Sequence, residues 1–107
     1  MRYLKKYITK DWLFKNEFKY NKFLSANNND IYTYTFPLLQ YKNSIILECN
    51  LCIHYPEGIL LVNVYKSGTT EPYAPFYNRE YGNFDYSKID NKITTKLKKL
   101  GVEKIGE

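Results

Sequence analysis

The chain has 107 residues, of which 44% are hydrophobic, with two cysteines, one histidine and a formal net charge of +5. That length makes one domain, 1–107, with a real core, and no apolar run approaches the roughly 20 residues of a membrane-spanning helix. The basic start MRYLKKYITKDW lacks the continuous apolar segment of a secretory signal, so a cytoplasmic protein with reduced thiols is expected.

Residues 1–24 are expected to form the N-terminal helix, from Arg2 to Leu24. Tyr3, Leu4, Tyr7 and Ile8 have helical spacing, and Asp11 can cap a second segment, WLFKNEFKYNKFL. Its apolar residues spread widely around the wheel, so a strand is the alternative for the first ten residues. Ser25 to Asp30 is a polar loop. Ile31 to Phe36, IYTYTF, alternates and is rich in β-branched and aromatic residues, as a strand is. Pro37 ends it or marks an edge, and Leu38 to Asn43 turns into the next element.

Ser44 to Lys66, SIILECNLCIHYPEGILLVNVYK, reads as the central β-hairpin. Its turn is Pro56-Glu57-Gly58, a three-residue loop that sets Tyr55 opposite Ile59. One face then carries Leu47, Cys49, Leu51, Ile53, Ile59 and Leu61, because side chains alternate along a strand. The other carries Glu48, Asn50, Cys52 and His54 opposite Leu60, Val62 and Val64, with Glu48 and Lys66 placed to form an ion pair.

Ser67 to Tyr86 holds two prolines, two glycines and a run of aromatic residues, and reads as an ordered loop. Ser87 to Leu100 is a helix with Ser87 as N-cap and Asp90 in the capping-box position. Ile89, Ile93, Leu97 and Leu100 form its apolar seam, and Gly101 stops it. Val102 to Ile105 can add a short edge strand. The expected fold is α+β: an antiparallel sheet of three to four strands around the hairpin 44–66, with an N-terminal and a C-terminal helix on one face.

Three constellations carry possible chemistry. Lys88, Lys92, Lys96 and Lys99 form one stripe beside the seam of the last helix, with Asp90 the only acid in that helix. An unpaired lysine row is what contact with a phosphate backbone uses. Lys15, Lys19 and Lys22 repeat it in the first segment. The order helix, three strands, helix resembles the double-stranded-RNA-binding domain in topology. That family begins its last helix with a Gly-rich, Lys-Lys-x-Ala pattern, whereas Tyr86-Ser87-Lys88-Ile89-Asp90 has one lysine and no alanine, so its function is not carried across.

Tyr73, Phe76, Tyr77, Arg79 and Tyr81 form the second constellation, suited to a protein partner because Tyr and Arg dominate interface hot spots. The third is Cys49-Asn-Leu-Cys52 with His54. A haem site needs the histidine directly after the second cysteine, and a zinc site needs four ligands. Cys49 and Cys52 also point to opposite faces of a strand. Cys52 and His54 share a face, the minimum for a thiol nucleophile.

Lysine outnumbers arginine 14 to 2, and Asn, Ile, Tyr and Phe abound, as AT-rich codons dictate. This points to a low-GC bacterium, its phage or a mobile element. Residues 1–24 and 87–107 are basic, at +5 and +3, around a middle at −3. That excludes nucleic-acid mimicry and favours a polyanionic partner. The primary expectation is a non-enzymatic binding protein acting on a protein or ribonucleoprotein, as an anti-CRISPR or anti-restriction factor does. A nucleic-acid-binding module is the alternative, and a thiol enzyme a distant third. No cofactor, metal or catalytic residue is assigned.

Overall fold

Strand β4, Ser44–Tyr55, is the middle of the molecule. The computed structural model describes residues 2–25, 30–77 and 86–105. Around β4 lie β1 (Arg2–Leu4), α1 (Lys10–Lys15), β2 (Lys19–Tyr20), β3 (Asp30–Tyr41), β5 (Ile59–Lys66), α2 (Ala74–Tyr77), α3 (Ser87–Leu100) and β6 (Glu103–Ile105). The fold is α+β. Its six strands form one antiparallel sheet in the order β2-β3-β4-β5-β1-β6.

The core follows from alternation in β4. Leu47, Cys49, Leu51 and Ile53 are at most 1% exposed. Opposite them on β5 stand Leu60, Val62 and Val64, also buried. The seam of α3, Ile89, Ile93, Leu97 and Leu100, covers this row, as its spacing predicts. Each such side chain contributes about 1.5–3 kcal/mol by leaving water. Leu13 of α1, Phe18 and Leu38 join the same core. No helix among the described residues is long and apolar enough to cross a membrane.

The hairpin β4–β5 forms, but one residue out of the expected register. Gly58 N–H donates to His54 O at 2.7 Å, so the turn closes early. Ile53 then faces Leu60, not Leu61, and Cys49 faces Val64, not Tyr65. A one-residue slip turns every β5 side chain over. Its physical reason is burial: the expected register would put Asn63 and Tyr65 beside Cys49 and Leu51. The observed one puts Leu60, Val62 and Val64 there. Glu48 consequently lies opposite Tyr65 and does not pair with Lys66. Its carboxylate accepts from Gly68 N–H at 3.1 Å, while Lys66 Nζ meets Glu71 Oε1 at 3.2 Å.

The N-terminal reading is also corrected. Only Lys10–Lys15 is helical, and Thr9, not Asp11, caps it, accepting from Trp12 N–H at 3.1 Å. Arg2–Leu4 is a strand held between β5 and β6. Two partner strands override its weak helical pattern. At the other end α3 starts with Tyr86 at the cap position, so Ser87 is the first helical residue. Gly101 adopts the left-handed φ of 71° and donates to the Leu97 and Lys98 carbonyls, as a C-terminal stop should.

Strand β3 runs past Pro37 for twelve residues, twice the expected length. Ile31 directs its N–H and C=O away from β4, toward Ser25 and Asn21. By the two-residue period Pro37 points the same way, so its missing N–H lies on the outer edge where no partner asks for it. Register shifts follow at Leu38–Gln40. Because β2 has only two residues, the β3 edge past Thr33 has no strand partner among the described residues. The sheet thus has six strands where three to four were expected, which also removes the helix–three strands–helix likeness.

Gly58 fixes the β4–β5 turn to β1. Its φ is +86°, its carbonyl accepts from Lys5 N–H at 2.9 Å, and a Cβ placed there would run into the Lys5 carbonyl. Gly68 has a similar φ of +75° and open space around it. Gly68→Ala is expected to cost about 1 kcal/mol from backbone strain alone, and Gly58→Ala about 2 kcal/mol or more. Urea midpoints of the two variants check this; equal losses would mean that the approach of Lys5 is slack.

Candidate nucleic-acid interface

The edge of β3 carries a row of rings. Tyr32, Tyr34 and Phe36 alternate onto the face that packs on the helices, opposite Ile53, Leu51 and Cys49. Phe36 lies 5.9 Å from Tyr34 with the rings 27° from parallel. Tyr34 lies 5.8 Å from Phe18, and Phe18 stacks on Trp12 at 5.8 Å. Phe18 enters because the chain reverses after α1, where Glu17 takes a φ of 65°. The result is one continuous aromatic row from α1 to the middle of β3.

The lysine stripe of α3 stands over this row. Lys96 Nζ sits 4.5 Å above the centre of the Tyr34 ring, a cation–π contact. Lys92 Nζ donates to the Leu38 carbonyl at 2.8 Å, at the β3 irregularity. Lys92, Lys96 and Lys99, with Phe36, Asn91 and Thr95, line a hollow of about 340 Å³. Lys88 is exposed and lies outside it. None of these four lysines has an ion-pair partner among the described residues. The pairs Lys6–Glu103 and Lys66–Glu71 lie elsewhere.

A second hollow, of about 700 Å³, wraps the β3 edge on the other side of Tyr34. Phe14, Glu17, Phe18, Lys19, Thr33 and Thr35 complete its wall. Phe14 is 83% exposed, on the outer side of α1. Lys19 is held in place by pairing of β2 with Thr33. Lys15 and Lys22 are exposed but line neither hollow. The structure therefore brings Lys92, Lys96 and Lys99 to one hollow and Lys19 to the other, and leaves Lys15, Lys22 and Lys88 outside both. Phe14, Tyr34 and Phe36 were not among the expected site residues. The signal for Tyr34 and Phe36 was the alternation of IYTYTF, which places its aromatic residues in one row; Phe14 had no such signal.

The aromatic loop is distributed differently. Phe76 is 5% exposed and belongs to the core, and Tyr73 packs against it half-buried. Tyr73 N–H donates to the Val64 carbonyl at 3.0 Å, and the Tyr77 hydroxyl accepts from Val64 N–H at 2.9 Å. These bonds close the β5 edge beyond β1. The Tyr77 ring remains 53% exposed. Arg79 and Tyr81 lie outside the described residues.

Cys49 is wholly buried on the helix side, and Cys52 lies on the opposite face with Asn50 and His54. The Cys52 thiol donates to Asn50 Oδ1 at 3.0 Å, and Asn50 Nδ2 donates to Thr35 Oγ1 at 3.0 Å. The thiol thus addresses an amide and not the imidazole. Burial pushes both thiols up, Cys49 from about 9 to about 12 with a smaller contribution from Cys52. A thiol held protonated is a poor nucleophile. No group of three potential metal ligands gathers among the described residues. No family model matches the chain, and neither a curated protein nor a solved structure does.

The thiols make a pH prediction. An unfolded Cys49 ionises from about 9, whereas the folded one keeps its proton to about 12. The folded state then binds more protons, so stability is fully present below about pH 9 and declines between about 9 and 12. Burial raises Tyr65 as well, which adds to the decline. Urea midpoints of Cys49→Ala are expected to fall less from pH 8 to 10.5 than those of the wild type; parallel curves would contradict the account.

Proposed function

We propose that this chain is a small, non-enzymatic basic module that binds nucleic acid along the groove between α3 and β3. The observation that supports it best is the placement of Lys92, Lys96 and Lys99, without acidic partners among the described residues, beside a row of aromatic rings. Two of these ammonium groups, on Lys92 and Lys96, turn inward onto the Leu38 carbonyl and the Tyr34 ring, which gathers positive charge at the sheet edge. Unpaired ammonium groups displace counterions from a phosphate chain and gain the entropy of their release. The net charge of +5 steers the encounter in the same sense.

Fluorescence anisotropy with labelled oligonucleotides at 50 and 200 mM salt tests the reading. Three to four phosphate contacts predict that affinity falls about 20- to 50-fold over that range. Lys96→Glu/Lys99→Glu is expected to abolish binding at the higher salt and flatten the salt dependence, with the urea midpoint nearly unchanged. Salt-independent binding, or full binding by the folded double variant, would sink it.

A protein or ribonucleoprotein partner, as for an inhibitor carried by a phage or mobile element, is the second reading. It is favoured by the Tyr77 ring, half exposed while its hydroxyl is fixed to β5. Under that reading a captured partner survives nuclease treatment and is lost with Tyr77→Lys. Tyr77→Phe, which removes only the hydrogen bond, retains capture. Loss of stability without loss of capture in Tyr77→Lys would leave the tyrosine a purely structural clasp.

A further inference from the structure

We infer that the ligand of the α3–β3 groove is single-stranded, with a base stacked on Phe36 and the neighbouring phosphates held by Lys96 and Lys99; this rests on the nucleic-acid reading above. The geometry of the lysines is the first reason. A duplex presents only its outer phosphates to a helix face, and ammonium groups that project outward from α3 would meet them. Here Lys92 and Lys96 fold inward, onto the Leu38 carbonyl and the Tyr34 ring, so their charge is concentrated inside the groove. The hollow of about 340 Å³ between helix and sheet edge has room for a flat base.

The rings are the second reason. Phe36 has one side occupied by Tyr34, 5.9 Å away, and lines the lysine hollow as well. Phe14 is largely exposed at the wall of the other hollow, beside Lys19. A paired and stacked base offers no face to either ring, whereas an unpaired base does. Between the two hollows, Thr35 follows Ile31 in directing its backbone N–H and C=O to the outer edge of β3. That places a donor and an acceptor where a base edge would pass. Glu17 and Lys19 share the second hollow and offset each other, so the phosphates lie on the α3 side, with Lys96 and Lys99. The interaction is one of ring faces and charges, so it discriminates strandedness more than sequence.

The test compares one sequence in four forms: a labelled 12-nucleotide single strand of RNA, the same in DNA, and the two corresponding duplexes, by anisotropy at 100 mM salt. Single strands are expected to bind at least tenfold tighter than their duplexes. Phe14→Ala, at an exposed position, and Phe36→Leu, which keeps an apolar side chain in the packing, are each expected to weaken single-strand binding five- to tenfold or more. Duplex binding equal to or tighter than single-strand binding, or unchanged single-strand affinity in both folded variants, overturns this inference while leaving the nucleic-acid reading standing. Absence of binding to all four forms overturns that reading too. The RNA and DNA arms separate the two sources of the same chemistry: a preference for RNA at equal length requires a contact to the 2′-hydroxyl.

Discussion

The buried row Leu47, Cys49, Leu51 and Ile53 sets the position of everything packed against β4. Each of these side chains is almost fully withdrawn from water. They have to be matched on both flanks by residues that can be buried too. On one flank that requirement selects Leu60, Val62 and Val64, and so fixes the β5 register. On the other it selects Tyr32, Tyr34 and Phe36. α3 then lays its Ile and Leu seam across the middle. A single row of alternation thus decides which face is core, which way β5 is turned, and where the α3 lysines end up.

The groove is a consequence of how the sheet ends. An open edge with rings beneath it invites another strand, and this one is blunted by familiar devices. Pro37 removes a donor, a register shift interrupts the ladder, and Lys92 takes the Leu38 carbonyl. Past Thr33 the edge has no strand partner among the described residues. It is lined with rings and lysines because the helix above it places its charged flank there. At the far side of the hairpin, Tyr73 and Tyr77 close the β5 edge with hydrogen bonds to Val64. Among the described residues the two edges of the central meander are therefore treated oppositely: one is closed by side chain and backbone, the other is flanked by lysines.

Much of this was legible in the residues. The α3 seam, its glycine stop and the hairpin were visible because each repeats a period several times. The IYTYTF strand was visible too, though its end was not: an outer-edge proline is compatible with a strand that continues. Arg2–Leu4 was legible as a strand only as the alternative to a helix, since three residues carry no period and their pairing to β5 and β6 is wholly non-local. The β4–β5 register depends on which of Leu61 or Val62 faces the core, and a turn sequence alone does not state it. Half of the site was readable as the lysine stripe. The other half of the candidate site, Phe36 beside the stripe and Phe14 in the second hollow, depends on α3 and α1 meeting the same strand, a juxtaposition no local pattern records. The aromatic loop misled through composition: Phe76 is core, and Tyr73 and Tyr77 serve the β5 edge as much as any surface.

The most direct test of the central claim is to map where a single-stranded oligonucleotide touches the protein, by titrating it into the isotope-labelled chain and following backbone amide shifts. The account predicts that the largest changes fall on Phe36, Asn91, Thr95, Lys96 and Lys99, and then on Phe14, Lys19 and Thr35. Changes confined to Tyr73–Tyr77 or to the β3–β4 turn around Lys42, or no changes at saturating oligonucleotide, would contradict it.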